Sequence, residues 1–291
     1  MANEFVALKD QATSLRKAER YSEELNLYAR LRAEYATQCN EWEHWGYAQC
    51  LRKLGRSAEA LEVCQKFHPV YPAFEQLRNL YAWCLYDVGI RQPENQVDEQ
   101  KLLRAAVTIV QICKQEKFSA FEATIFGVVE YLKDKNNPPY RDMLTWLDRL
   151  DPELLSTEER PNNAPDARQR TFPSNREKYY ALRTRALLET EQFELGIQTV
   201  NAAQQALTKF HPLYDVWFYW YRAKCALGLH RPADAITDLE TMLKKNKHDY
   251  FIYEEFAEAY AQQDQLDKAL EYAFQAALPK GELKFKWKLF C

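Results

Sequence analysis

Residues 41–72 read EWEHWGYAQCLRKLGRSAEALEVCQKFHPVYP, and the stretch that follows repeats their key positions. Tyr47 and Ala48 recur as Tyr81 and Ala82, Leu51 recurs as Leu85, and Gly55 as Gly89, each 34 residues further on. Near the other end Ala223 recurs as Ala257 and Ala235 as Ala269, at the same spacing of 34. A unit from Glu177 to about Thr208 supplies Leu187, Gly196 and Ala203 at equivalent places. A fixed period of this length marks a stacked repeat, in which each unit buries its apolar face on its neighbours.

Within a unit the pattern predicts helix, tight turn, helix. Glu41 to Leu54 carries apolar residues at helical spacing, Gly55 breaks it, and Ala58 to Phe67 resumes it before Pro69 and Pro72. The final unit reads alike: Phe256, Ala257 and Tyr260, a polar turn over 262–265, then Ala269, Ala273 and Ala276. Small residues recur where two helices must cross, as Ala48, Ala82, Ala223 and Ala257 in the first helix. In the second helix they are Ala60, Gly196, Ala235 and Ala269. Helix axes approach to about 8 Å only where one side of the crossing is nearly bare.

On these residues the chain resembles the tetratricopeptide-repeat (TPR) family over residues 5–90 and 174–281. Residues 41–72 fit its pattern most fully, through Tyr47, Ala48, Leu51, Gly55, Ala60 and Pro72. Phe67 departs from it by standing where the family prefers Ala, Gly196 replaces the usual Ala, and two later units lack the closing Pro. The Leu80 to Asp87 run is also similar to bacterial TPR proteins of defence and conflict systems. The resemblance implies an all-α fold, a TPR-like α-solenoid in which antiparallel helix pairs wind as a right-handed superhelix. It further implies a scaffold rather than an enzyme, with the first helices lining a concave groove.

By the same resemblance the second, fifth, ninth and twelfth positions of a unit face that groove. They hold Trp42, Trp45, Gln49 and Arg52 in one unit, and Gln76, Asn79, Trp83 and Tyr86 in the next. The C-terminal part offers Lys178, Arg185, Trp217, Trp220, Lys224, Glu254 and Glu258. Five of the seven tryptophans fall on these positions. Trp, Tyr and Arg dominate binding energy at interfaces, and Arg or Lys hold carboxylates through charge-assisted hydrogen bonds. The expected partner is therefore a protein segment, a peptide or a helix. A register shifted by one residue would instead place Trp45 and Trp220 in the core.

Composition excludes several other classes. With 7 glycines in 291 residues, the nearest two being Gly46 and Gly55, no phosphate-cradling glycine loop and no nucleophile elbow exists. The five histidines show no metal spacing, the seven cysteines form no CxxC pair, and acidic pairs such as Glu23-Glu24 suit exposed helix faces. No catalytic residue, metal or cofactor is expected. Lys and Arg total 39 against 42 Asp and Glu, a formal charge of −3, which gives no global pull toward polyanions. The start lacks an apolar signal core and no stretch has the length of a membrane span, so a cytoplasmic protein with free thiols is expected.

The alternative partner is single-stranded nucleic acid, bound by aromatics interleaved with cations, or a separately encoded enzyme that the chain regulates. The relevant basic clusters are Arg52, Lys53 and Arg56; Arg168 and Arg170; and Arg176, Lys178, Arg183 and Arg185. The expected organisation is an N-terminal lobe, 1–90; off-register helical hairpins, 91–155; a linker or mobile loop, 156–174; and a C-terminal lobe, 175–291. In the tail, Leu283, Trp287 and Phe290 form a helical stripe expected to cap the last unit. One echo crosses the chain, KFHPVY at 66–71 and KFHPLY at 209–214. There a His suits the helix C-terminus and Pro stops the helix; a duplicated lobe or paired site histidines are the other readings. Gly46 and Gly127 fall inside predicted helices without a reason visible in the sequence.

Overall fold

The computed structural model describes residues 2–93, 97–162, 171–212, 214–245 and 249–277. Its regular structure is almost entirely helical. In chain order the helices are α1 (Ala2–Lys17), α2 (Tyr21–Glu34), α3 (Glu41–Lys53), α4 (Ser57–Phe67), α5 (Glu75–Gly89), α6 (Glu99–Ile112) and α7 (Ala120–Lys133). They continue as α8 (Tyr140–Leu147), α9 (Asn175–Glu189), α10 (Phe193–Ala206), α11 (Asp215–Gly228), α12 (Pro232–Lys244), α13 (Tyr250–Gln262) and α14 (Leu266–Ala277). No helix among the described residues is long and apolar enough to cross a membrane. The chain divides into two compact units, residues 1–131 and 132–291.

Inside each unit every helix from α1 to α6, and from α8 to α14, packs on the next, as a run of helix pairs should. The first helices of neighbouring pairs also touch, α3 with α5, α9 with α11, and α11 with α13. The small residues expected at crossings are where close approach needs them: Ala48, Ala60, Ala82, Ala223 and Ala235 are fully buried. Ala257 and Ala269, in the last pair, are only half-buried, and Ala259 and Ala276 take the interior places instead.

One turn is built five times. In each, a single residue adopts the left-handed conformation: Glu19, Gly55, Glu191, His230 and Asp264, at φ +55° to +77°. Its N–H donates to the carbonyl three residues back, and the next N–H donates to the carbonyl five back, as in Gly55 to Arg52 and Arg56 to Leu51. The same pair of bonds recurs at Glu191–Gln192, His230–Arg231 and Asp264–Gln265. That pair of hydrogen bonds satisfies carbonyls which a helix end leaves without partners and reverses the chain into the next helix. Only one of the five positions carries glycine, so low glycine content did not mean few such turns.

Gly89, matched to Gly55 by the period, plays a different part. It belongs to α5, and a Cβ there would collide with the Ala105 Cβ of α6. Gly46, inside α3, is pressed against the Tyr28 ring of α2, and Gly127 against Ile90. These glycines are sites of close approach. Some helix starts carry side-chain caps: at α3, Asn40 Oδ1 accepts from Trp42 N at 3.0 Å while Glu43 accepts from Asn40 N at 2.9 Å. Asp98 and Ser174 cap α6 and α9.

The segment expected as a linker or loop contains a two-residue antiparallel ladder, Arg160–Pro161 with Thr171–Phe172. Its ends are tied down, since Leu155, Ser156, Pro173 and Ser174 are buried and Ser156 O accepts from Arg176 N at 3.0 Å. α8 packs on α9 through Leu144, Ala186 and Leu187. The tail stripe Leu283, Trp287 and Phe290, with Arg168, Arg170 and His248, lies outside the described residues. On α14, Leu266, Leu270 and Phe274 are exposed.

Candidate partner-binding faces

The first-unit face begins with the cap of α3. The Asn40–Glu43 box fixes the first turn, and Glu43 is held in turn by Lys9 at 2.7 Å. Trp42, Trp45, Gln49 and Arg52 then follow one stripe, because residues three and four apart share a helix face. Trp42 is 46 % exposed and meets two rings edge-on, Trp45 at 5.8 Å and Phe74 at 4.7 Å. Trp45 is half-buried against the core, with the Arg16 guanidinium 4.7 Å from its ring. Gln49 keeps its Oε1 shielded from solvent with no hydrogen-bond partner among the described residues.

Arg52 ties α3 to α5. Its Nε donates to Asp87 Oδ2 at 2.6 Å, and its guanidinium lies 5.1 Å from the Trp83 ring. Trp83 meets Tyr86 edge-on at 5.6 Å, and burial raises the Tyr86 phenol above its ordinary range. Asn79 is exposed, its Oδ1 3.9 Å from the Cys113 thiol, which burial pushes up to about 11. Asn79 and Trp83 also line a hollow of about 240 Å³ closed by residues 113–120.

The second unit repeats the aromatic figure. Trp217 is 39 % exposed, meets Trp220 edge-on at 5.5 Å and stacks on Phe251 at 5.6 Å. Lys224 Nζ lies 4.8 Å from the Trp220 ring and 3.3 Å from the Glu255 carboxylate. Burial pushes Glu255 up to about 7, against the opposing pull of Lys224. Trp220 Nε1 is shielded and has no hydrogen-bond partner among the described residues. Arg185 approaches the Tyr140 hydroxyl at 3.5 Å, and Lys178 is half-buried on α9. None of the thirteen residues from Trp42 to Lys224 singled out above is fully buried, whereas Ala48, Cys50 and Leu51 are core. Trp45 and Trp220, the two residues a register shift would internalise, sit at the edge of their cores.

The third ring of each figure, Phe74 and Phe251, was not read from the sequence. Phe251 stands 34 residues after Trp217, so the period could have found it, whereas Phe74 stands 32 after Trp42 and lies off the period. Phe67, the departure from the family pattern, stacks on His44 at 3.5 Å with the rings 12° apart. Burial lowers His44 to about 4. The two echoed histidines do unlike work: His68 lies 5.3 Å from the Tyr81 ring, while buried His211 donates its backbone N–H to Glu177 at 2.7 Å. Each belongs to a different unit, and only His68 stands at a helix end, as the C-cap of α4; His211 lies in the connector beyond the end of α10 at Ala206, so the helix-end reading fails there.

The basic clusters are largely paired. Arg52 is held by Asp87, Arg56 by Glu59 at 2.6 Å, Arg176 by Glu153 at 3.4 Å, and Arg183 by Asp148. Among the described residues no three His, Cys, Asp or Glu side chains gather as a metal ion would require, and the six described cysteines are free thiols.

No family model matches the chain, and no curated protein matches it. Solved structures do. A tetratricopeptide-repeat protein from Parabacteroides merdae ATCC 43184 is 13 % identical over 99 % of this chain and 97 % of its own, with a TM-score of 0.44. The TPR2AB domain of yeast Sti1, solved in complex with pHSP90, is 12 % identical over 95 % and 90 %, with a TM-score of 0.40. The P58(IPK) TPR domain is 12 % identical over 99 % and 98 %, with a TM-score of 0.27. These neighbours are tetratricopeptide-repeat proteins, the family that the 34-residue pattern resembles, and the likeness concerns the fold of helix pairs alone.

Proposed function

We propose that the chain is a non-enzymatic, cytoplasmic scaffold or adaptor that binds a peptide or partner helix along the first-helix faces of its units. One observation carries this reading: an exposed tryptophan, Trp42 or Trp217, crowns an aromatic cluster in each unit, flanked by a cation. A large indole left at a surface is available for transfer from water, and such residues anchor interfaces when a partner covers them. The pairing of Arg52, Arg56, Arg176 and Arg183 with carboxylates supports a protein partner over nucleic acid, because each phosphate contact would have to break an ion pair.

The test is a double variant, Trp83→Ala with Trp217→Ala, in affinity capture with mass spectrometry of the bound proteins. Both side chains are at least partly exposed, so the variant should fold and lose the partner that the native chain retains. Unfolding would show that the indoles serve the core and would remove the reading. A salt titration separates the alternative: nucleic-acid binding weakens steeply with salt through counterion release, whereas aromatic docking does not.

A further inference from the structure

The five turn residues with positive φ leave one such residue unexplained. Phe118 has φ +59°, yet it makes no helix-pair turn; it stands two residues before α7 and is 56 % exposed. A bulky residue in the left-handed region is an outlier with a conformational cost of about 1–2 kcal/mol. The conformation is held from below. Phe118 N donates to Glu122 Oε2 at 3.2 Å, and Glu122 is itself buried, while Ser119 Oγ caps α7 by accepting from Glu122 N at 3.3 Å.

Phe118 and Trp83 belong to the lining of the same hollow of about 240 Å³. Arg78, Asn79, Lys114 and Lys117 share that lining. Lys114 and Lys117 have no ion-pair partner among the described residues, and Arg78 reaches Glu75 only at 3.7 Å. The hollow therefore joins two aromatic side chains to available cations, on a loop whose backbone strain is maintained by a buried carboxylate.

We propose that this hollow is a specificity pocket for one aromatic side chain of a protein segment, flanked in that segment by acidic residues. The inference rests on the scaffold reading and names the chemistry it selects. The aromatic ring enters between Trp83 and Phe118, where edge-to-face contacts are favoured. Its acidic neighbours reach Lys114 and Lys117 through charge-assisted hydrogen bonds. Glu75 and Glu116, also in the lining, oppose a strand with a phosphate at every residue. A peptide places its carboxylates only where the lysines are.

The experiment measures fluorescence anisotropy of short labelled peptides, acetylated and amidated so that no terminal charge contributes, on the full chain. One peptide has a central Trp between Asp and Glu residues, a second replaces that Trp by Ala, and a third exchanges the acids for Lys. The first should bind, and the other two should be weaker by about tenfold or more, the size of a lost anchor. Phe118→Ala should weaken the first peptide by a similar factor and Phe118→Tyr should restore it. Lys114→Glu with Lys117→Glu, both exposed, gives an independent loss should Phe118→Ala fail to fold.

Equal binding of the three peptides, or no effect of Phe118→Ala and the lysine variant, overturns the pocket. Should binding then depend on Trp42 and Trp217, shown by their Ala variants, the scaffold reading survives while this inference falls. Binding of single-stranded oligothymidine in place of every peptide, lost in Phe118→Ala, overturns both.

Discussion

The clusters around Trp42 and Trp217 have the same outline and different foundations. In each, an exposed indole meets a second indole edge-on and a phenylalanine from the region of the next first helix completes the group. In the first unit the cation on the inner ring is Arg16, brought from α1 and fixed by Glu24 at 2.6 Å. In the second it is Lys224, from the same helix as the ring, fixed by Glu255, a carboxyl that burial holds near neutral pH. Equivalent surface features are thus held by different ion pairs. Both cores bury His and Glu side chains, His44, Glu24, Glu43 and Glu122 in the first unit and His211, Glu177 and Glu255 in the second.

The largest expected difference between the units lies in their response to pH. His44 falls from 6.5 to about 4 on folding, chiefly through burial, with Arg32 and Lys66 adding to the shift and Glu43 opposing it. In the window from about 6.5 down to about 4 the unfolded chain binds more protons at this residue, so stability is lost as pH falls. Glu177 rises from 4.5 to about 7, again chiefly through burial, against the hydrogen bond it accepts from His211 N; Glu159 and Asp215 add to the rise. There the folded chain binds more protons, so stability is lost as pH rises from about 4.5 to about 7. Each effect is on the order of 2–3 kcal/mol. Urea unfolding of Glu177→Gln should show a gain over the native chain at pH 8 that vanishes near pH 4. His44→Phe, which keeps a ring against Phe67, should gain only on the acid side. A gain of equal size at all pH values would refute the assignment of that residue.

The turns give a second, smaller contrast. Gly55 in the first unit occupies a conformation that Glu191, His230 and Asp264 adopt in the second at a steric penalty. Gly55→Ala should lower stability by ~1 kcal/mol, since φ +77° is unfavourable to a Cβ even though nothing stands within 4 Å of it. Asp264→Gly should raise stability by up to ~1 kcal/mol, offset in part by the greater freedom glycine gives the unfolded chain. Thermal unfolding of both variants checks the pair, and a gain from Gly55→Ala would contradict the account of the turn.

Those turns also show what the sequence could convey. The period of 34 was legible because Ala48, Ala82 and Ala223 occupy places where packing tolerates few side chains, and it separates the starts of α3 and α5 and of α12 and α14. The turns at Gly55 and over 262–265 were legible, but the left-handed residues Glu19, Glu191 and His230 were not, because they are held there by backbone hydrogen bonds that any side chain permits. Gly89 matched Gly55 in letter and differs in role, since a missing Cβ serves a turn and a crossing equally well. On the candidate faces, Trp42, Trp45, Trp217 and Trp220 were picked out by the positions that the family resemblance implies. The hollow at Phe118 lies where the middle of the chain leaves the 34-residue register, and its residues meet only after the chain has folded. No spacing in the sequence announces it.

The smallest effect tests whether the two aromatic clusters belong to the surface. Trp42→Ala removes two edge-on contacts, and Trp217→Ala removes one edge-on contact, a tilted one with Tyr221 and the stack on Phe251. Aromatic pairs contribute about 0.5–1.5 kcal/mol beyond area burial, and both indoles are already partly in water. Each variant should therefore lose only ~1 kcal/mol, well short of the roughly 3–5 kcal/mol of a core tryptophan. The two losses should add, because the residues sit in different compact units and share no partner. The comparison sharpens if Trp45→Ala and Trp220→Ala are measured beside them. Those inner rings touch the cores, so they should cost more than the outer ones. An outer ring that proves as expensive to remove as its inner neighbour would be a structural residue, and its cluster would then be an edge of the core instead of a docking face.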